Sequence, residues 1–266
     1  MRIALIGAGS MGQAMLASWL KSKTAQPEEI SVFEPNPTSD LLIEANQKGV
    51  HINPALTDID PDIFVLAIKP QMAHEVLPSF AKLASKSLTL SIMAGISCDT
   101  ISTLLGGGTI VRGMPNLAVQ VGEGVTGLYT NQELNDAQKE MVTSLVQTTG
   151  RTIWVSKESA LDIVTAISGS GPAYFFLLAE ALSEAAVAHG FSENDARILA
   201  EGTLRGAGAL LASDVRTAGE WRAAVTSPGG VTAAALSALD YPQAGIRPLA
   251  LDAVKTGAAR AAALSK

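Results

Sequence analysis

Three glycines near the start of the chain have the spacing of a phosphate cradle. Residues 2–12 read Arg-Ile-Ala-Leu-Ile-Gly-Ala-Gly-Ser-Met-Gly, so Gly7, Gly9 and Gly12 form a G-x-G-x-x-G series after an aliphatic run. In that pattern Gly7 permits a tight turn, Gly9 lets a pyrophosphate approach the backbone, and Gly12 lets the next helix pack on the strand. The helix start then offers free N–H groups and partial positive charge to phosphates. A glycine-rich turn with no ligand is the plain alternative. The strand-like residues before the series and the helix-like Gln13–Ala17 after it favour dinucleotide binding. Glu34 lies 22 positions after Gly12, at the end of the next strand-like run. An acid there accepts hydrogen bonds from the adenosine ribose and repels a 2′-phosphate. No Lys or Arg occurs between Ser31 and Gln47, which favours NAD(H). Asn36, Thr38 and Ser39 are nevertheless donors for a phosphate, and local chemistry leaves the choice open.

Two further groups of residues attract notice. Ala67-Ile68-Lys69-Pro70-Gln71, Ala94-Gly95 and Arg112-Gly113-Met114-Pro115-Asn116 each follow a strand-like run. Ligands of open α/β sheets sit at the carboxyl ends of strands, so these three turns point to one crevice, with Lys69 and Pro70 beside the cofactor. The plain reading of Lys69 is a solvated charge. Far along the chain, Val225-Thr226-Ser227-Pro228-Gly229-Gly230-Val231-Thr232 precedes a helix-like run. Two glycines free its backbone, and Thr232 can reach or cap the helix start. The result is a nest of N–H donors suited to a carboxylate. No Lys or Arg appears from Ala223 to Asp240, so an anion there is held by backbone dipoles. An ordinary capped loop explains the segment equally well. His51, His74 and His189 lack metal-ligand spacing, Trp19, Trp154 and Trp221 read as packing residues, and Glu28-Glu29 reads as a solvated turn.

These residues need elements to hold them. The pattern predicts strands at Ile3–Ile6, Ile30–Glu34, Asp62–Ile68, Leu88–Ile92, Thr109–Arg112, Val125–Tyr129 and Thr152–Val155. It predicts intervening helices at Met11–Lys21, Ser39–Gln47 with Gly49 beyond its end, Gln71–Ala84 broken at Pro78, and Glu133–Thr149. Repeated strand–helix units imply an open, doubly wound α/β sheet. After Ser156 the pattern changes to Ala- and Leu-rich helices at Lys157–Ser168, Pro172–His189, Glu193–Ala212, Ala218–Val225, Val231–Leu239 and Arg247–Leu264. Pro172 suits a helix start, Gly190 a helix end, and Ser192 with Asp195 a capping box. The expected domains are therefore 1–156, dinucleotide-binding, and 157–266, all-helical. The Pro172 helix is apolar on nearly every face until Glu180, so it calls for cover from a partner subunit, and an intertwined homodimer is expected.

Composition narrows the class. The chain has 266 residues, 47% apolar and 17% charged, with a formal charge of −6. That balance fits a globular protein and argues against general nucleic-acid binding. Cys98 is the sole cysteine, so no internal disulfide is possible, which fits a reducing cytoplasm; a small buried hydrophobe is its expected role. The apolar stretch 172–179 is too short to span a bilayer, and a soluble protein is expected.

Taken together, Gly7–Gly12, Ala67–Gln71, Arg112–Asn116, Ser168-Gly169-Ser170-Gly171-Pro172-Ala173-Tyr174 and Thr226–Thr232 resemble the pyrroline-5-carboxylate reductase family, and the likeness runs through nearly the whole chain. The resemblance implies a Rossmann-type domain followed by a helical domain that dimerises by interlocking helices, with larger assemblies of dimers in some members. It implies that Gly7, Gly9, Ser10, Met11 and Gly12 cradle the pyrophosphate and that Ala67, Lys69 and Pro70 flank the nicotinamide end. Local chemistry adds Glu34 and Asn36, and strand-end position Ala94 and Gly95, to the expected cofactor site. Ser227, Gly229, Gly230 and Thr232 would hold the substrate carboxylate, and Thr232 matches the family's threonine near the ring nitrogen. Leu117-Ala118 stand where the family commonly has Thr-Pro, and Val231 where Thr or Ala is frequent. The implied cofactor is NADPH, with NADH accepted by some members; no metal is implied.

The implied reaction is hydride transfer to the C=N carbon of Δ1-pyrroline-5-carboxylate, giving L-proline, the last step of proline biosynthesis. Thr232 would orient the ring nitrogen first and relay a proton second, because a hydroxyl is a poor free acid near neutrality. Two other readings stay open: a two-domain dehydrogenase of the β-hydroxyacid type, and a non-catalytic nucleotide sensor. The former would carry a lysine on the first inter-domain helix, and Asp162–Gly171 contains none.

Overall fold

Continuous apolar tetrapeptides such as Ile3-Ala4-Leu5-Ile6 and Ile63-Phe64-Val65-Leu66 are buried on both faces, which is why they do not alternate. A computed structural model describes residues 1–264 and places these runs in one eight-stranded sheet. Its strands are β1 (Ile3–Ile6), β2 (Ile30–Phe33), β3 (His51–Ile52), β4 (Ile63–Leu66), β5 (Leu88–Ser91), β6 (Ile110–Met114), β7 (Gly124–Tyr129) and β8 (Gly150–Trp154). Their order is β3-β2-β1-β4-β5-β6-β7-β8, so the direction of winding reverses between β1 and β4. One core layer gathers Leu5, Trp19, Val65, Leu90 and Val142; the other gathers Ile6, Phe64, Leu66, Leu77 and Ile101. This is the doubly wound, Rossmann-type sheet, followed by helices only among the described residues.

The expected elements are present, with instructive differences. The sheet is mixed, because β7 pairs antiparallel with β6 and parallel with β8. β3 and the helix Cys98–Leu105 were not expected from periodicity. That helix is short, but its ends are marked: Ser97 Oγ accepts the Thr100 N–H, and Gly106 closes it in the left-handed conformation. Between Pro70 and Ala84 the expected helix is a chain of single turns, 3-10 at Pro70–Met72 and Leu77–Phe80, α at Ala73–Val76 and Ala81–Ala84, with Pro78 at the break. The helix expected at Lys157–Ser168 is one α turn, Ala160–Val164, that widens into a π turn at Thr165–Gly169. Ser192 caps the Glu193–Ser213 helix, but Asp195 bonds the Ser192 hydroxyl rather than its backbone.

Two compact units emerge: Met1–Gly169 together with the chain from Gly257, and Ser170–Thr256. In the second, Pro172 sits in the first turn of Gly171–Ala188, as its fixed φ favours. Tyr174, Phe175, Phe176 and Leu177 are all exposed there, the last three at 59%, 60% and 64%. The helical run Ala160–Ala188 is 29 residues long and apolar enough to cross a membrane by length and composition. The apolar stretch 172–179 is only part of this run, which the π turn extends backwards from Pro172, and one such helix is weak evidence for a membrane span.

Candidate functional site

The three glycines divide their labour. Gly7 has φ +91°, and a Cβ there would lie 2.7 Å from the Ala67 carbonyl oxygen. A Cβ on Gly12 would collide with the Gly7 carbonyl oxygen. Both glycines therefore serve close packing of the chain on itself. Gly9 is different: a Cβ there would meet nothing within 4 Å. The space is open in front of the Ser10–Ser22 helix, which no side chain caps at its start. An uncapped helix start with a bare glycine before it fits a pyrophosphate. Ser10 and Met11 open this helix, and Ser10 Oγ accepts a hydrogen bond from Gln120 Nε2 at 3.1 Å.

Glu34 follows β2 and turns its carboxylate back to this loop. Oε2 accepts the Ala8 N–H at 2.9 Å, and Oε1 accepts the Asn36 N–H at 3.1 Å. Asn36 itself is exposed. At the reversal of strand order, a cavity of about 250 Å³ is lined by Met11, Ala67, Pro70, Met93, Ala94 and Met114. The turns after β1, β4, β5 and β6 thus meet in one crevice, as strand-end logic requires. Gly95, with φ +74°, turns the chain just past Ala94. Lys69 is solvent-exposed ahead of the Pro70–Met72 turn.

The carboxyl end of β6 carries polar structure that spacing did not reveal. Arg112 is buried, and its Nη1 pairs with Glu158 Oε1 at 2.8 Å; that same oxygen accepts the Cys98 N–H at 2.8 Å. Burial, followed by the nearby Glu158 charge, pushes the Cys98 thiol up to about 12, so it is a buried hydrophobe as expected rather than a thiolate. Burial also raises the Asp162 carboxyl. Asn116 Nδ2 donates to the Ser168 carbonyl at 3.1 Å and its Oδ1 accepts the Val125 N–H at 3.1 Å, so this side chain ties the π turn to β7. The sequence signals near these partners were the Arg112–Asn116 and Ser168–Tyr174 segments, and neither pointed to Glu158.

In the second unit, Gly229 adopts φ +68°, and the Gly230 N–H closes a turn on the Ser227 carbonyl at 3.0 Å. The Val231–Leu239 helix starts there with Gly230 as its cap residue and no side-chain cap. Of the two expected places for Thr232, the structure has the one that reaches the helix start: it lies in the first turn, partly buried, and Gly230 is the cap residue. The loop has no basic residue, and at the far end of the helix Asp240 engages Arg247 at 2.6 Å and Arg222 at 3.6 Å. A wider groove of about 950 Å³ lies between Gly171–Ala188 and Glu193–Ser213, lined in part by Phe176, Val187, Arg197 and Leu204. It meets the exposed apolar face at Phe176 and also carries Glu180, Glu184, Glu193, Glu201 and Arg205. Among the described residues no group of His, Cys, Asp and Glu is placed to hold a metal.

Comparison with known proteins bears on both units. A family model described as pyrroline-5-carboxylate reductase dimerisation matches residues 158–264, and one described as NADP oxidoreductase, coenzyme F420-dependent, matches residues 2–95. A pyrroline-5-carboxylate reductase from Haemophilus influenzae is 37% identical over 241 residues, covering 90% of this chain and 89% of that protein. One from Synechocystis is 34% identical over 266 residues, covering 100% and 98%. Among solved structures, a pyrroline-5-carboxylate reductase from Coxiella burnetii has a TM-score of 0.90 at 33% identity, covering 100% of this chain and 98% of that one. A Plasmodium falciparum pyrroline carboxylate reductase with NADP bound has a TM-score of 0.79 at 26% identity, covering 100% and 98%.

Proposed function

The chain belongs to the pyrroline-5-carboxylate reductase family, and we infer that it reduces Δ1-pyrroline-5-carboxylate to L-proline with NAD(P)H, the last step of proline biosynthesis. The substrate is a small molecule and the chain works as an oligomer. The observation that carries the reading is the crevice where the turns after β1, β4, β5 and β6 meet beside an open glycine.

In this reading Gly9, Ser10 and Met11 hold the pyrophosphate against the helix start, while Gly7 and Gly12 shape the turn. Ala67, Lys69, Pro70, Ala94 and Gly95 border the nicotinamide, and Glu34 with Asn36 the adenosine ribose. When bound, the reduced nicotinamide supplies the hydride that saturates the C=N bond. The Ser227–Thr232 backbone, through Gly229 and Gly230, pins the substrate carboxylate with N–H groups and so fixes which carbon is presented for reduction. Thr232 Oγ hydrogen-bonds the ring nitrogen and relays its proton; a protonated imine is the better electrophile. The domains act as 1–156 for the dinucleotide and 157–266 for substrate and dimerisation. The exposed Tyr174–Leu177 face supports a homodimer, the unit of any larger assembly. In the same reading the protein is cytoplasmic, with neither nucleic acid nor membrane as partner.

The test is spectrophotometric. Purified protein mixed with pyrroline-5-carboxylate consumes NADPH or NADH; consumption of neither overturns the reaction. Dinucleotide binding without turnover on any imine would instead favour a nucleotide sensor.

A further inference from the structure

Resting on the dinucleotide reading above, we propose that Glu34, positioned by Asn53, makes this chain prefer NADH to NADPH. Glu34 is held from every side. Its backbone N–H donates to Asn53 Oδ1 and its carbonyl accepts from Asn53 Nδ2, both at 2.9 Å. Asn53 adopts a left-handed backbone at φ +49°, unusual for a residue other than glycine, and its own N–H bonds the Val32 carbonyl at 2.8 Å. That conformation places both ends of one amide side chain against the backbone of the same residue, Glu34. The Glu34 side chain is tied in turn: Ala8 and Asn36 N–H groups each take one carboxylate oxygen.

This clamp fixes a negative charge at the glycine turn. A dinucleotide lying on such a turn brings its adenosine ribose to the carboxyl end of the second strand. A free 2′-hydroxyl donates to the waiting carboxylate. A 2′-phosphate meets a like charge that cannot swing aside without stranding the N–H of buried Ala8. No cation offsets it from the segment after β2: residues 31–47 contain no Lys or Arg, and Lys48 is paired with Glu44 at 2.7 Å. Asn53 touches no ligand in this account; it is a positioning residue.

The experiment is calorimetric titration of the full-length protein with NAD⁺ and NADP⁺, alongside kcat/KM with NADH and NADPH. The unmodified protein binds NAD⁺ more tightly than NADP⁺ by about tenfold or more, the size expected when like charges face each other. Glu34→Gln keeps the size and an acceptor for Ala8 but removes the charge, and it raises NADP⁺ affinity until the ratio approaches one. Asn53→Gly retains the left-handed backbone, loses both amide bonds, and narrows the ratio in part. Equal or tighter NADP⁺ binding by the unmodified protein overturns the proposal and needs no variant. An unchanged ratio in Glu34→Gln also overturns it, and an unchanged ratio with a lowered melting temperature in Asn53→Gly removes Asn53 from it. Binding is read without the imine, so failure of pyrroline-5-carboxylate turnover leaves this result standing.

Discussion

The two compact units use apolar residues in opposite ways. In Met1–Gly169, strands β1 and β4 are buried at every position, and Trp19 is fully covered, its Nε1 bonded to the Leu145 carbonyl. In Ser170–Thr256, Phe175, Phe176 and Leu177 stand in solvent on the long apolar helix Gly171–Ala188, which has only Gly171 and Ala179 buried. The first unit has a core of its own and leaves space at one chemically useful point, in front of Gly9. The second has surface in excess of what it can cover, which is how a chain encodes its need for a second copy. A family model for dimerisation spanning 158–264 agrees with that division.

If the division is right, the largest effect belongs to Gly9→Val. Its side chain enters space that holds no protein atom, so the melting temperature stays while NADPH and NADH titrations become flat. Gly12→Val is the counter-test, because its side chain meets the Gly7 carbonyl and the fold itself suffers. Next, Thr232→Ala lowers kcat by about 10²–10⁴-fold, as for loss of a proton-handling group, with dinucleotide affinity retained. A loss under about tenfold removes Thr232 from the chemistry.

The partner requirement is tested by Phe175→Asp with Phe176→Asp. Sedimentation shifts to a smaller species while dinucleotide binding by the first unit survives; an unchanged sedimentation profile breaks the contrast. Within the first unit, Glu158→Ala leaves Arg112 buried without its carboxylate and costs about 1–3 kcal/mol in chemical denaturation. The last effect is confined to alkaline pH. Burial holds the Cys98 proton up to about 12 instead of 9.0, so the unfolded chain releases it first. Stability is whole below pH 9 and falls as pH rises from there towards 12. Cys98→Ala flattens that part of the melting curve against pH.

Much of this was legible beforehand, for identifiable reasons. The glycine series, the strand-end turns and the capped helices are local: their residues sit within a few positions of one another, so spacing alone brings them together. Gly49 and Gly190 fell where a left-handed residue ends a helix. What escaped notice depends on distance along the chain. Arg112 and Glu158 are 46 positions apart, and Glu34 and Asn53 are 19 apart, so only folding makes them partners. β3 has two residues, too few for any periodicity. The antiparallel β6–β7 pair shows no mark in composition, since either direction buries the same side chains. The Cys98–Leu105 helix was readable in principle from Ser97 and Gly106, whose signals flank an unremarkable run.

The π turn at Thr165–Gly169 sets a reading frame for the helix it feeds. Each residue of an α-helix advances the side chains by about 100°, and a π turn absorbs one residue beyond the regular count. Deleting a single residue there would leave a smooth helix of nearly the same length. Because the wide turn takes up the extra residue, that deletion would leave Phe175, Phe176 and Leu177 facing the side they face now, whereas the same deletion inside the regular Gly171–Ala188 helix would turn everything beyond it by about 100°.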